Sequence, residues 1–254
     1  MRKNTMVFTT RINDNLILTQ DKQGLTFGSD ALLLASYIRP GADKSRRTAA
    51  ELGAGTGVIS LLAVGRGKFG HITAVELQEK YADLCRHNAR QNGLEEKIAV
   101  ICGDVRHLTA KDIGREVDAV FCNPPYMSTD GGRECDKEEL HIARHETCGG
   151  IADFAACAAR LLKHGGRLYA VYRPDRLESL FAAHRSAGFA IKRMTFVHGR
   201  ADLPPSMVLT EARLGGGEGM YLPRPLIIAE GAGDTADYAY IMEKGNFPSE
   251  YYGA

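Results

Sequence analysis

Thr48-Ala49-Ala50-Glu51-Leu52-Gly53-Ala54-Gly55-Thr56-Gly57 decides how this chain is read. A short apolar run enters a turn with glycine at every second position, and Val58 to Val64 continues as an apolar helical stretch. Strand, glycine turn and helix in that order open a β-α unit, and the glycines let the backbone turn sharply and approach a ligand closely. The spacing is G-x-G-x-G. A dinucleotide fingerprint, G-x-G-x-x-G, would need glycine where Val58 or Ser60 stands, which disfavours a nicotinamide or flavin pyrophosphate and so an oxidoreductase. Taken alone, the turn is equally a plain β-α connection.

Downstream the unit repeats. Ile72 to Val75, Ile98 to Cys102, Val117 to Cys122 and Arg167 to Tyr172 read as strands, and Lys80 to Asn92, Ile151 to Leu162 and Asp175 to Ala187 as helices. Ala190 to Val197, Met207 to Ala212 and Leu226 to Ala229 close the set. Near-continuous apolar strands belong to a parallel sheet covered on both faces, and alternation with helices makes the fold doubly wound α/β. Ligands of such sheets bind beyond the carboxyl ends of the strands. The residues just past four strands are Gly53 onward, Glu76, Asp104 and Asn123 onward. A carboxylate at Glu76 can accept from a ribose diol, and one at Asp104 from an adenine amino group; each can equally be an acid at a helix start.

Asn123-Pro124-Pro125-Tyr126 is the most specific motif. Two prolines remove backbone donors and fix the turn. The Asn side-chain oxygen and a proline carbonyl are then acceptors at the mouth of the cleft, able to hold both N–H groups of a planar amine, with Tyr126 offering a flat face to a base. The motif reads an NH2 group without saying which.

Upstream, Leu16 to Leu18 and Leu32 to Ile38 are apolar, the second a helix with Ser29 or Asp30 as its N-cap. Lys+Arg number 32 and Asp+Glu 31, for a net charge of +1, so global charge announces no nucleic-acid partner. Local basic clusters occur at residues 2–11, 39–47 and 185–200. The six cysteines, at 85, 102, 122, 135, 148 and 157, form no C-x-x-C pair; reduced thiols are expected, and no metal site. No apolar run has signal-peptide or membrane-span length, so the expected location is the cytoplasm, away from membranes. Oligomeric state is not legible.

The glycine motif, Glu76 and Asp104 together resemble the class I methyltransferases that use S-adenosyl-L-methionine. The resemblance implies a Rossmann-like domain with a seven-stranded, mostly parallel sheet and helices on both faces. It implies that Glu51, Gly53, Ala54, Gly55, Thr56 and Gly57 pass near the methionine part of the cofactor, that Glu76 and Leu77 hold its ribose side, and that Asp104 and Val105 read the adenine. Asn123-Pro124-Pro125-Tyr126 resembles the motif of amino-methyltransferases. Phe27-Gly28-Ser29-Asp30-Ala31-Leu32-Leu33-Leu34-Ala35, Arg144-His145-Glu146 and Arg173-Pro174-Asp175-Arg176-Leu177 resemble segments of the bacterial tRNA adenine-N6 methyltransferases that act beside the anticodon of a valine tRNA. By that resemblance residues 1–48 pack over the cofactor, with Phe27, Ser29 and Asp30 against it. Residues 49–230 form the catalytic domain, 231–254 a tail, and the acceptor is N6 of nucleotide 37 in tRNA.

Arg144, His145, Arg173, Lys192 and Arg193 are the expected contacts to tRNA, and the charged stretch Ser128 to His145 is expected to order around it. Alternatives at this stage are a protein glutamine, a ribosomal RNA amine or a DNA amine as acceptor, and a non-catalytic nucleotide-binding protein.

Overall fold

The computed structural model describes residues 7–22, 24, 27–39, 43, 45–124 and 149–253. Among these, the chain opens with a hairpin, β1 (Val7–Asn13) and β2 (Leu16–Asp21), then helix α1 (Ser29–Tyr37). Strand and helix then alternate: β3 (Thr48–Leu52), α2 (Val58–Gly65), β4 (His71–Glu76), α3 (Glu79–Gln91), β5 (Ile98–Cys102) and β6 (Val117–Cys122). After α4 (Ile151–Leu161) come β7 (Leu162–Tyr172), α5 (Leu177–Ser186), β8 (Phe189–His198) and β9 (Pro205–Leu214). Three two-residue strands follow, β10 (Leu226–Ile227), β11 (Ala229–Glu230) and β12 (Gly233–Asp234), then α6 (Ala236–Lys244).

The large sheet has the order β10-β8-β9-β7-β6-β3-β4-β5. Its neighbours are parallel except β9, which is antiparallel to both β7 and β8. The eighth strand beyond the expected seven is β10, a two-residue edge beside β8. Alternate residues feed opposite faces, as the pleat requires. Ala49, Ile72, Ala74, Ala119 and Phe121 join the core under α1, α2, α3 and α6, while Ala50, Val75, Val120 and Cys122 join the core under α4 and α5.

Three features differ from the sequence reading. Strand β7 begins at Leu162, five residues before the expected Arg167, directly after α4 ends at Leu161, and it passes through Gly165 and Gly166. Helix α1 starts at Ser29 behind Gly28, with no side-chain cap, so neither Ser29 nor Asp30 takes the cap position. The hairpin, absent from the sequence reading, is fastened by Asn88 of α3, which accepts from the Thr19 amide at 2.8 Å. Asn88 also donates to the Thr19 carbonyl at 3.0 Å and to the Thr56 carbonyl in the glycine turn at 2.9 Å. One buried amide thus joins β2, α3 and the first β-α turn.

The C-terminal segment is part of the core. Ile241, Phe247 and Tyr251 are buried. Arg193 of β8 lies between Tyr37 and Tyr252, its guanidinium carbon 3.6 Å and 4.6 Å from the ring centroids. It donates to the carbonyls of Tyr37 at 2.7 Å and Tyr251 at 3.3 Å. Its partner is Glu211 of β9, 2.9 Å away, which also takes Arg39 at 2.9 Å and bonds Arg167. Lys68, likewise buried, donates to the carbonyls of Ala35, Ser36 and Ile38 and so satisfies the end of α1, where helical carbonyls lack partners.

Candidate active site

Register places the four strand ends in one row. Leu52 pairs with Val75 on one side and Cys122 on the other, so Gly53, Glu76 and Asn123 stand level. Glu76 pairs with Cys102, which sets Asp104 two residues beyond the end of β5. Neighbouring strands lie about 4.8 Å apart, so the row Asp104, Glu76, Gly53–Gly57, Asn123 spans on the order of 15 Å, the length of a nucleoside with a side arm.

All three motif glycines have positive φ, and two show why. Gly55, at φ +55°, has nothing within 4 Å of where a Cβ would stand, so its Cα faces open space beside the acids. Gly57, at φ +82°, would push a Cβ to 2.4 Å from the Cys85 Sγ of α3. The first leaves room for a ligand; the second seats the turn on the neighbouring helix. Ala54 and Thr56 are buried between them.

Glu76 accepts from the Gly55 amide at 2.8 Å through one oxygen and from the Gln78 amide at 2.9 Å through the other. Its carboxylate therefore fixes the turn while standing at the strand end, with Leu77 half-buried beside it. Asp104 is bonded to the Arg106 amide at 2.9 Å and to the guanidinium at 2.5 Å. The Arg106 hydrogen bonds hold its carboxyl below the usual carboxylate range, so it stays an ionised acceptor. Val105 is buried behind it, its carbonyl taken by Arg160 at 2.7 Å. Glu51 lies in β3, two residues before Gly53. It is buried and accepts from the Ser60 amide at 2.9 Å and from the Ser60 hydroxyl. Burial pushes its carboxyl up to about 8. Glu51 thus clamps β3 to α2 and reaches the ligand space through the turn it supports.

This acceptor set fits a ligand with a diol and an amino-heterocycle: two acids at adjacent strand ends, and a turn open at Gly55. Asn123 lies at the far end of the row, its Nδ2 donating to Asp30 Oδ2 at 2.5 Å. That bond draws the start of α1, with Phe27 and Ser29, to the acceptor end. Phe27 is held there by its amide donating to Gln20 at 3.0 Å. Pro124 is buried; Pro125, Tyr126, Arg144, His145 and the stretch Ser128 to His145 lie outside the described residues.

Of the expected basic contacts, Arg173 lies at this edge, one residue past β7. It lines a cleft of about 730 Å³ with Pro174, Asp175, Pro204, Pro205 and Ser206, and pairs with Asp175 at 2.7 Å. Lys192 and Arg193 do not lie there. They belong to the first half of β8, six and five residues before His198 at its carboxyl end, roughly 20 Å away at about 3.3 Å per residue. Lys192 donates to the carbonyls of Gly217 and Glu218, and Arg193 is fully enclosed by the Glu211 pair. Sequence reading missed Asn88 as the tie behind the turn and Arg106 on Asp104; an arginine two residues past a strand-end acid was the available signal for the second. Among the described residues no group of three or more His, Cys, Asp and Glu could hold a metal, and no helix is long and apolar enough to cross a membrane.

Known proteins share the family and the fold. Residues 22–184 match the model of the methyltransferase small domain. A Phocaeicola vulgatus protein named tRNA1(Val) (adenine(37)-N6)-methyltransferase is 30% identical over 190 residues, which covers 74% of this chain and 77% of that one. An Aliivibrio fischeri protein of the same name is 27% identical over 216 residues, 85% of this chain and 88% of its own length. A crystal structure from Agrobacterium tumefaciens, described as a predicted O-methyltransferase, superposes with a TM-score of 0.69 at 22% identity, over 86% of this chain and 98% of that one, a likeness of fold. With the family model spanning well over half of its residues, the chain belongs to the methyltransferase small domain family, in the branch of the tRNA1(Val) (adenine(37)-N6)-methyltransferases.

Proposed function

We propose that this protein methylates the exocyclic N6 amine of an adenosine in tRNA, nucleotide 37 of tRNA1(Val), with S-adenosyl-L-methionine as the methyl donor. The observation that carries the reading is Asn123, which stands level with the glycine turn and Glu76 and one strand from the turn. The cofactor, when bound, supplies a methyl group already activated by its positive sulfur. The residues of the chain then have to bind, aim and stabilise. Glu76 and Leu77 would hold the ribose side, Asp104 and Val105 the adenine, and Gly53 to Gly57 the amino-acid arm. Phe27 and Ser29 would close the site beside Asn123. The Asn123 carboxamide oxygen and the Pro124 carbonyl would accept the two N–H groups of the target amine, orienting its nitrogen and easing charge that develops on it. This chemistry asks for no strong general base.

The acceptor class rests on support of a different kind. The curated relatives carry a tRNA1(Val) adenine-37 name. The cleft at Arg173 adjoins the Asn123 end of the row, where a strand of RNA leaving the target base would pass, and its arginine is suited to a phosphate. An unpaired loop base also leaves its stack at low cost.

The test is transfer of labelled methyl from S-adenosyl-L-methionine to tRNA lacking the modification, followed by digestion to nucleosides. Label in N6-methyladenosine, lost with Asn123→Ala, is expected. Label absent from tRNA and present in ribosomal RNA, DNA or a protein glutamine would overturn the acceptor while leaving the chemistry.

A further inference from the structure

A carboxamide has two ends of nearly equal size and opposite function: one donates, the other accepts. An amine acceptor needs the oxygen end. Nothing in Asn123 itself chooses which end faces the substrate, so its polarity must be set from outside.

We infer that Asp30 is the positioning residue that sets the polarity of the Asn123 carboxamide, and that Gly28 is present to give the Asp30 carboxylate its place. This rests on the reading of Asn123 as the amine acceptor. Asp30 Oδ2 takes the Asn123 Nδ2 at 2.5 Å, across 93 residues of sequence. An ionised carboxylate has acceptors alone, so it binds the NH2 end and opposes the oxygen end. A charge-assisted bond of this kind favours the chosen orientation by roughly 10- to 100-fold.

Gly28 supplies the second, independent observation. Its φ of −112° and ψ of −172° are extended backbone open to any residue, so the conformation does not call for glycine. A Cβ there would lie 2.8 Å from Asp30 Oδ1. The missing side chain is the room in which the carboxylate sits. An acid in the first turn of α1 is also favourable to the helix dipole. That accounts for a negative charge at this position, but not for its bond to Asn123 nor for the bare Gly28. The helix itself is held at its other end by Lys68 and by Arg193 through the Tyr37 carbonyl, which limits how far Asp30 can drift.

Two variants disturb the contact differently: Asp30→Asn removes the charge, and Gly28→Ala displaces the carboxylate without removing it. For both, kcat at saturating S-adenosyl-L-methionine is expected to fall by at least about twofold, the loss when the two carboxamide orientations become equally populated, and by up to about 100-fold where the group also shifts by about 1 Å. The Kd for the cofactor should stay within about twofold and the melting temperature within about 2 °C, since the displaced atom is the end of a short side chain near the surface. A readout independent of turnover is the Asn123 side-chain NH2 resonance pair, assigned by its loss in Asn123→Ala. It should lie downfield in the wild type and move upfield in both variants.

A raised cofactor Kd with kcat unchanged would overturn the inference and make Asp30 a cofactor ligand. Unchanged kcat together with an unmoved resonance pair would make the contact incidental. The wild-type rate on tRNA tests the acceptor class, whereas the variant-to-wild-type ratio and the resonance test Asp30. Should another amine prove to be the acceptor, the ratio is measured on that amine.

Discussion

Glu211→Gln should strongly destabilise this protein. Glu211 and Arg193 are 1% and 0% exposed, paired at 2.9 Å, and Arg193 is shut in by Tyr37 and Tyr252. Arg39 and Arg167 also reach Glu211, but their side chains are 33% and 40% exposed and can turn to water. Arg193 cannot. Removing one partner of a buried pair leaves an uncompensated charge at about 3–5 kcal/mol; with one cation stranded we expect the lower end, about 3 kcal/mol. At about 2–4 °C per kcal/mol for a chain of this size, the melting temperature should drop by roughly 6–12 °C. The assay is thermal and denaturant unfolding, with the denaturant slope unchanged. Replacing both charges, Glu211→Gln with Arg193→Met, should recover much of the loss, because the cost lies in the stranded charge. A single-variant drop below about 2 °C, or a double variant no better than the single, would refute the reasoning. There is a pH corollary. Burial alone would raise the Glu211 carboxyl, but Arg193 and Arg167 outweigh it and hold it below the usual range. Its stabilisation is therefore present above the unfolded carboxylate range and lost as pH falls through the lower folded value.

Glu51 behaves oppositely: with burial pushing its carboxyl up to about 8, its contribution is full below the unfolded value and declines as pH rises toward 8, by up to about 1.4 kcal/mol per pH unit. Glu51→Gln should flatten that slope in unfolding measured from pH 5 to 9, and a variant with the wild-type slope would count against it. Gly55→Ala should cost about 1–2 kcal/mol from its left-handed backbone and weaken cofactor binding. Gly57→Ala, which adds the contact with Cys85, should cost about 1–3 kcal/mol more; equal melting temperatures for the two would contradict the close approach.

The row of strand ends was legible because apolar runs, a glycine turn and isolated acids sit at fixed offsets, and a parallel sheet turns those offsets into neighbours. Asn123 was legible for the same reason. Strand direction was not: the apolar run of β9 reads the same either way, and its antiparallel insertion depends on pairing with β7 and β8. The hairpin escaped because Val7-Phe8-Thr9-Thr10-Arg11 alternates weakly and owes its place to Asn88, 69 residues from Thr19. Lys192 and Arg193 read as a surface cluster since a charged pair in a strand is usually solvated. The counter-charge and the aromatic walls of Arg193 come from Glu211, Tyr37 and Tyr252, far apart in sequence. Asp30 was found as part of a segment resembling one over the cofactor, but its bond to Asn123 spans the whole first half of the fold and leaves no local trace.

The pairing of Arg193 with Glu211 also bears on the order in which the chain assembles. The two residues are opposite one another in the β8–β9 hairpin, next to the irregularity after Ile191. They lie 18 residues apart across the connection from His198 to Pro205, so they can meet in water while the hairpin forms, on the microsecond scale of such events. A hairpin formed in this way would still have to dock the free edge of β9 on β7, and Tyr37 and Tyr252 cover the pair in the folded protein. A hairpin slipped by one residue would bring Arg193 to this seam without its carboxylate, and docking would then have to strip water from a bare cation. A hairpin in the native register therefore carries its own counter-charge into the seam, so Arg193 is covered without leaving a bare cation.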